Sequence, residues 1–193
     1  IMKKRNPKVI DPDFKKHIEG VLAEVKNSLF ELHDTAIRDE KTKLYNHRFF
    51  KNVFEMELEK AKREMQNLSL IIVDIDFFKK FNDSYGHLVG DDVLVELAKV
   101  LQKTVRKYDI PSRFGGEEFF VLLPETNIAK AKKVAERLRL SLPKNTLLKK
   151  YNVQISLGVT EYKKLDTQKR MINRADKALY ISKKNGRNQT NIL

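Results

Sequence analysis

The sequence predicts an α/β sandwich: a mixed, mainly antiparallel central sheet flanked by helices, preceded by an N-terminal helical stalk. Three observations carry that prediction. Stretches with apolar residues at helical spacing alternate with short strand-like runs, as packed helix and sheet layers require. Residues 68–76, LSLIIVDID, form an apolar run of strand length without alternation, which fits a strand covered on both faces. Residues 113–123, RFGGEEFFVLL, set paired glycines between strand-like residues. Adjacent glycines that both take φ > 0 suit a two-residue hairpin turn.

Taken in order, residues 1–12 are basic and punctuated by proline, and are expected to be poorly ordered. Residues 14–37 read as a helix in which Ile18, Leu22, Val25, Leu29, Leu32 and Ala36 are spaced by alternating fours and threes. Such a seam either pairs two chains or lies on its own domain. A helix carrying Phe49, Phe50, Val53, Phe54, Leu58 and Ala61 inward follows, then the acid-ended strand and a short helix over 77–82. A further helix carries Val93, Leu94, Leu97 and Val100 and is closed by Arg106 to Asp109. After the hairpin come an amphipathic helix over 126–142, stopped near Pro143, a strand over 151–161, and a last helix over 171–184 ending at Gly186.

Composition bounds the answer. A chain of 193 residues that is 41% hydrophobic can bury one core, so one domain (39–193) behind a lead-in (1–38) is expected. Without cysteine, disulfides and thiolate metal sites are excluded, which suits a reducing cytosol. Apolar runs are too short to span a bilayer. A chain opening on Ile1 is expected to be a fragment, with room for a preceding sensor or membrane segment. The formal charge of +13, from 39 Lys and Arg against 26 Asp and Glu, attracts polyanions. No finger, zipper or RNP pattern accompanies it, which ranks nucleic acid below charged nucleotides. Lys130, Lys132, Lys133 and Arg137 at helical spacing read as a solvated face.

Carboxylates at the end of a buried strand are costly without a partner, and a divalent cation is the obvious one. Asp74 and Glu117 on neighbouring strands are the candidates. Alternation puts Glu117 and Glu118 on opposite faces, so only one of them would look at a given site. The bland reading makes Asp76 a helix cap and Asp74 a solvated strand end. Asp91 is likewise either an N-cap or an acceptor for a base.

The motifs Gly115-Gly116-Glu117-Glu118-Phe119, Asp74-Ile75-Asp76-Phe77-Phe78-Lys79, Asn82-Asp83, Tyr85-Gly86-His87, Gly90-Asp91, Ser156-Leu157-Gly158-Val159, Ala175-Asp176-Lys177-Ala178-Leu179-Tyr180 and Gly186-Arg187-Asn188 together resemble the GGDEF domain of diguanylate cyclases, in its Glu-for-Asp variant. The likeness runs from about Asp39 to the C-terminus. It implies a fold similar to the nucleotide cyclase and polymerase palm, and condensation of two GTP into cyclic di-GMP with loss of pyrophosphate. It further implies Asp74, the Ile75 carbonyl and Glu117 as holders of two Mg²⁺ or Mn²⁺ ions, and Glu117 and Lys79 as catalytic groups. Phe77, Phe78, Lys183 and Arg187 would meet the phosphates, and Asn82, His87 and Asp91 the nucleoside. Arg106 and Asp109 match an inhibitory product site. The family's lead-in helix implies a homodimer of cytoplasmic domains, each presenting one GTP, under an upstream sensor. A catalytically silent GTP or cyclic di-GMP receptor is the alternative. Residues 39–48, DEKTKLYNHR, depart from the family's Asp-x-Leu-Thr-Gly-Leu-x-Asn-Arg at Lys41, Lys43 and His47, so the entry turn lacks its glycine.

Overall fold

The computed structural model describes residues 11–193. The order expected of residues 1–10 lies outside them. Along the chain come α1 (Pro12–Ile37), β1 (Tyr45–Asn46), α2 (His47–Glu64), β2 (Leu68–Ile75), α3 (Phe78–Tyr85), α4 (His87–Thr104), β3 (Ile110–Gly115), β4 (Glu118–Pro124) and α5 (Ile128–Ser141). A 3₁₀ turn (Leu142–Lys144), α6 (Thr146–Lys150), β5 (Ile155–Glu161), α7 (Gln168–Lys184) and β6 (Thr190–Ile192) complete it. The described residues fall into two units, the helix through Ala36 and Ile37–Leu193. No helix among them is long and apolar enough to cross a membrane.

In the first unit, Ile18, Leu22, Val25, Leu29 and Leu32 stand exposed along α1. In the second, six strands form one sheet in the order β1-β3-β4-β2-β5-β6. The three long pairings, β3 with β4, β4 with β2 and β2 with β5, are antiparallel. Short β1 and β6 add parallel edges, and they went unforeseen because two or three residues carry no period of their own. All of β2 is buried, as its unbroken apolar run implied. Ile71, Val73 and Ile75 face a core shared with Val93, Leu94, Leu97 and Leu101 of α4 and Ala131, Ala135 and Leu138 of α5. Leu68, Leu70 and Ile72 face the other core, with Phe50, Phe54 and Leu58 of α2 and Met171, Ala175 and Leu179 of α7.

Helix α7 lies directly on β5. A Cβ at Gly158 would overlap the Ala175 carbonyl oxygen and the Leu179 nitrogen, both fixed backbone. Gly158→Val should therefore cost about 3 kcal/mol, the upper range for overpacking a tight contact, read as a lower denaturation midpoint at unchanged slope.

Several local expectations are corrected. The hairpin turn is Gly116-Glu117 and not the glycine pair: only Gly116 has positive φ, +50°, and Gly115 pairs with Glu118 as the last residue of β3. A bulge between Arg113 and Gly115 moves the register by one, because Phe114 is spent stacking on Phe120, 3.9 Å between ring centroids. Helix α4 starts at His87 behind Gly86, so Asp91 sits inside it and caps nothing. Arg106 and Asp109 lie beyond its end at Thr104, in a turn where Asp109 Oδ2 accepts from the Arg106 N–H at 2.7 Å. Pro143 ends α5 as foreseen, but inside a 3₁₀ turn that leads into α6. The missing entry glycine leaves Lys43 at φ 59°, a left-handed conformation held by its N–H donating to the Asp39 carbonyl at 2.9 Å.

Candidate active site

Asp74 occupies the next-to-last position of β2, opposite Glu118 on β4 and Ser156 on β5. Directly paired residues share a face, so Asp74 and Glu118 project to the same side of the sheet. Glu117 belongs to the turn, where strand alternation no longer governs it. Its charge nevertheless raises the Asp74 pKa and that of Glu118.

The electrostatics show a site short of positive charge. Asp74 is 6% exposed, and burial pushes its pKa up; Lys183, with Nζ 2.8 Å from Oδ2, pulls it back, while Glu117 and Asp76 push it up again. The net shift is upward. Glu118 is also raised, by burial first and then by the charge of Asp74. A carboxylate whose pKa rises on folding contributes stability below its unfolded pKa and loses it as pH rises through the folded value. Ionising the cluster therefore carries a cost, which Lys183 beside Asp74 and Arg187 beside Asp76 offset in part. A divalent cation would relieve that cost. Among the described residues no three Asp, Glu or His side chains form a ready-made metal group; the implied set needs only two carboxylates and a main-chain carbonyl, so the chemistry of the donors fits.

Asp76 does not cap α3, whose N-cap Phe77 makes no side-chain cap bond. Its Oδ1 accepts from Ser156 Oγ at 2.7 Å and its Oδ2 from the Asn188 N–H at 3.0 Å. It fastens the end of β2 to β5 and to the chain after α7. That brings Arg187 over the ring of Phe77, 4.2 Å from its centroid, with Nε 4.0 Å from Asp76. Phe77 is itself left-handed, φ 58°, and bends the chain so that α3 begins beside the end of β2. The first turn of any helix carries N–H groups without intrahelical partners, which favour anions. Phe78 is buried beneath that turn and Lys79 is exposed on it. Lys183 and Arg187 thus flank the acidic centre and the start of α3.

Asn82 on α3 lies against α4 at Gly90, where a Cβ would overlap its Oδ1. That oxygen is buried and has no hydrogen-bond partner. Asp91 follows immediately and pairs with Lys41 of the entry turn. His87 is exposed at the start of α4. Elsewhere, Asp109 is buried with its Oδ1 unpartnered, beside a cavity of about 160 Å³ lined by Arg106, Lys130, Lys133 and Arg137 among others. Sequence reasoning missed Glu118 as the residue facing Asp74, and missed the Lys41 contact. Strand pairing would have revealed the first, and the departure at Lys41 was the only signal for the second.

A mixed six-stranded sheet, with a glycine-turned acidic hairpin beside an acid-ended central strand, defines an α/β sandwich domain whose carboxylate centre lies at one end of the sheet. Residues 36–189 match the family described as diguanylate cyclase, GGDEF domain, and the chain belongs to that family. Diguanylate cyclase A of Treponema denticola is 43% identical over 152 residues, 76% of this chain and 41% of that protein. The response regulator PleD of Caulobacter vibrioides is 37% identical over 170 residues, 85% of this chain and 37% of that protein. The crystal structure of the coiled coil and GGDEF domain of DgcB from Caulobacter crescentus, in complex with c-di-GMP, superposes with a TM-score of 0.82 at 26% identity, covering 93% of this chain and 99% of that one. The chain spans about two fifths of the length of the curated relatives.

Proposed function

We propose that this domain condenses two GTP into cyclic di-GMP, releasing pyrophosphate, across a homodimer of cytoplasmic domains. The observation that carries the reading is Asp74, buried yet ionisable, paired across the sheet with Glu118 and under the charge of Glu117. A silent receptor would not need that acidic excess. Asp74, the Ile75 carbonyl and Glu117 would hold Mg²⁺ or Mn²⁺, two ions in the family's pattern. Bound there, the ions polarise phosphate oxygens and lower the pKa of the attacking hydroxyl.

The chain's own groups do the rest. Glu117 takes the proton from the 3′-hydroxyl that attacks the α-phosphate of the facing GTP. Lys79 steadies the charge on the transferring phosphoryl group. The backbone at Phe77 and Phe78 receives phosphate at the start of α3, and Lys183 and Arg187 neutralise the departing pyrophosphate. Asp91 accepts from both N–H donors of the guanine edge, Asn82 offers its amide to O6, and His87 lies beside the nucleoside. Incubation of the purified dimer with GTP and Mg²⁺ tests the reading: cyclic di-GMP and pyrophosphate should form, and binding of GTP without product would support the receptor instead.

Arg106 and Asp109 form the inhibitory site in this reading, with the unpaired Asp109 oxygen accepting from guanine and the Arg106 guanidinium forking onto phosphate. Arg106→Ala should raise the cyclic di-GMP concentration needed for half-inhibition at least about tenfold, the cost of losing one hydrogen bond to a charged group. Initial rates titrated with added product check it. An upstream sensor domain is expected to drive the dimer through α1.

A further inference from the structure

We propose that Lys41 is a specificity-determining residue whose ammonium, held against Asp91, donates to the 6-oxo group of guanine. The inference rests on the base-reading role given above to Asp91. Lys41 pairs with Asp91 Oδ1, and the two side chains are 38% and 39% exposed, so a ligand can reach both. The turn that carries Lys41 is fixed on either side of it. Asp39 Oδ1 accepts from the Thr42 N–H at 2.8 Å and from its hydroxyl at 2.7 Å, and Arg113 Nη1 lies 3.3 Å from the same oxygen. Lys43 closes the turn in its left-handed conformation. Leucine, the residue the family's entry motif carries at this position, would offer no donor.

The chemistry of the purine edge gives the pair its meaning. Guanine presents, in order, an amino donor at C2, an N1–H donor and an O6 acceptor. A carboxylate answers the first two and leaves O6 without a partner from Asp91. N1 and O6 sit on adjoining ring atoms, so a donor already bonded to the carboxylate oxygen that receives N1–H stands beside O6. Lys41 and Asp91 together thus present the full complement of the guanine edge. Adenine reverses both final groups, placing an amino donor against the ammonium and a bare N1 against the carboxylate. Asn82 does not make Lys41 redundant, because O6 has two lone pairs and accepts two donors.

The test is equilibrium binding of unreactive α,β-methylene triphosphates of guanosine, inosine and 2-aminopurine riboside to the full chain and its variants. Lys41→Met should weaken the guanosine and inosine analogues about tenfold, as expected for a lost hydrogen bond to a charged group. It should leave the 2-aminopurine analogue, which has no 6-oxo group, unchanged. Lys41→Arg should restore most of the loss. Equal weakening of all three analogues, or guanosine binding as tight as or tighter than in the unaltered chain, would overturn the role of Lys41; the second result would make the ammonium a competitor of the base. Asp91→Ala separates the two levels of the argument. If it leaves guanosine affinity untouched, the base-reading role itself is wrong; if it weakens guanosine while Lys41→Met does not, only the lysine's part fails.

Discussion

Asp74→Asn should lower the rate of cyclic di-GMP formation about 10³-fold, the scale on which one preorganised electrostatic element contributes to a transition state. The substitution keeps volume and hydrogen-bonding shape and removes one charge from a centre where Asp74 is flanked by Glu117, Asp76 and Lys183. Glu117→Gln should fall as far, because it removes both a ligand and the proposed base. Glu118→Gln should cost only about tenfold if Glu118 shapes the field without touching the reacting atoms. Coupled pyrophosphate release on each variant gives the ranking, with circular dichroism melts confirming that the fold persists. A larger loss for Glu118→Gln than for Glu117→Gln would exchange their roles, which the direct cross-strand pairing of Glu118 with Asp74 makes a sharp test.

The second large effect concerns assembly. Each domain presents one GTP in this account, so catalysis requires two domains face to face. Leu22 and Leu29 are each 61% exposed on α1, within the seam read from their spacing. Leu22→Glu with Leu29→Glu sets like charges in that seam and should abolish pairing. Two tethered domains meet at an effective concentration on the order of millimolar. Untethered at about one micromolar, they should lose about 10²- to 10³-fold in specific activity on the same scale. The double variant should recover as its concentration rises, while the unaltered chain plateaus early. Light scattering with matched rate measurements distinguishes this from a damaged active site, whose loss would not depend on concentration.

The sheet layers were legible because the apolar run of β2 and the helical spacing in α2, α4 and α5 are properties of contiguous residues. The fastening of the site was not, because it depends on residues far apart in the chain. Asp76 looks like a helix cap when read beside Phe77, and only the fold brings Ser156 and Asn188 to it. Glu118 stands opposite Asp74 because β2 and β4 pair in one unbroken register from Leu68 and Pro124 to the hairpin, a long-range pairing that neither strand shows by itself. Lys41 was visible as a departure from its family, but Asp91 lies fifty positions later and their ion pair is a tertiary fact. The acids, the turn glycine and the basic groups at and beyond the end of α7 could be picked out in advance; most of their partners could not.

In the proposed site Asp74, next to last in β2, and the hairpin residue Glu117 hold a divalent cation between them. That arrangement is tested most directly by thermal unfolding without nucleotide, with and without Mg²⁺, in the unaltered chain and in Asp74→Asn and Glu117→Gln. An ion bound to the folded state raises its melting temperature by mass action. The account predicts an Mg²⁺-dependent rise in the unaltered chain that is absent from both variants. An equal rise in all three proteins would contradict it.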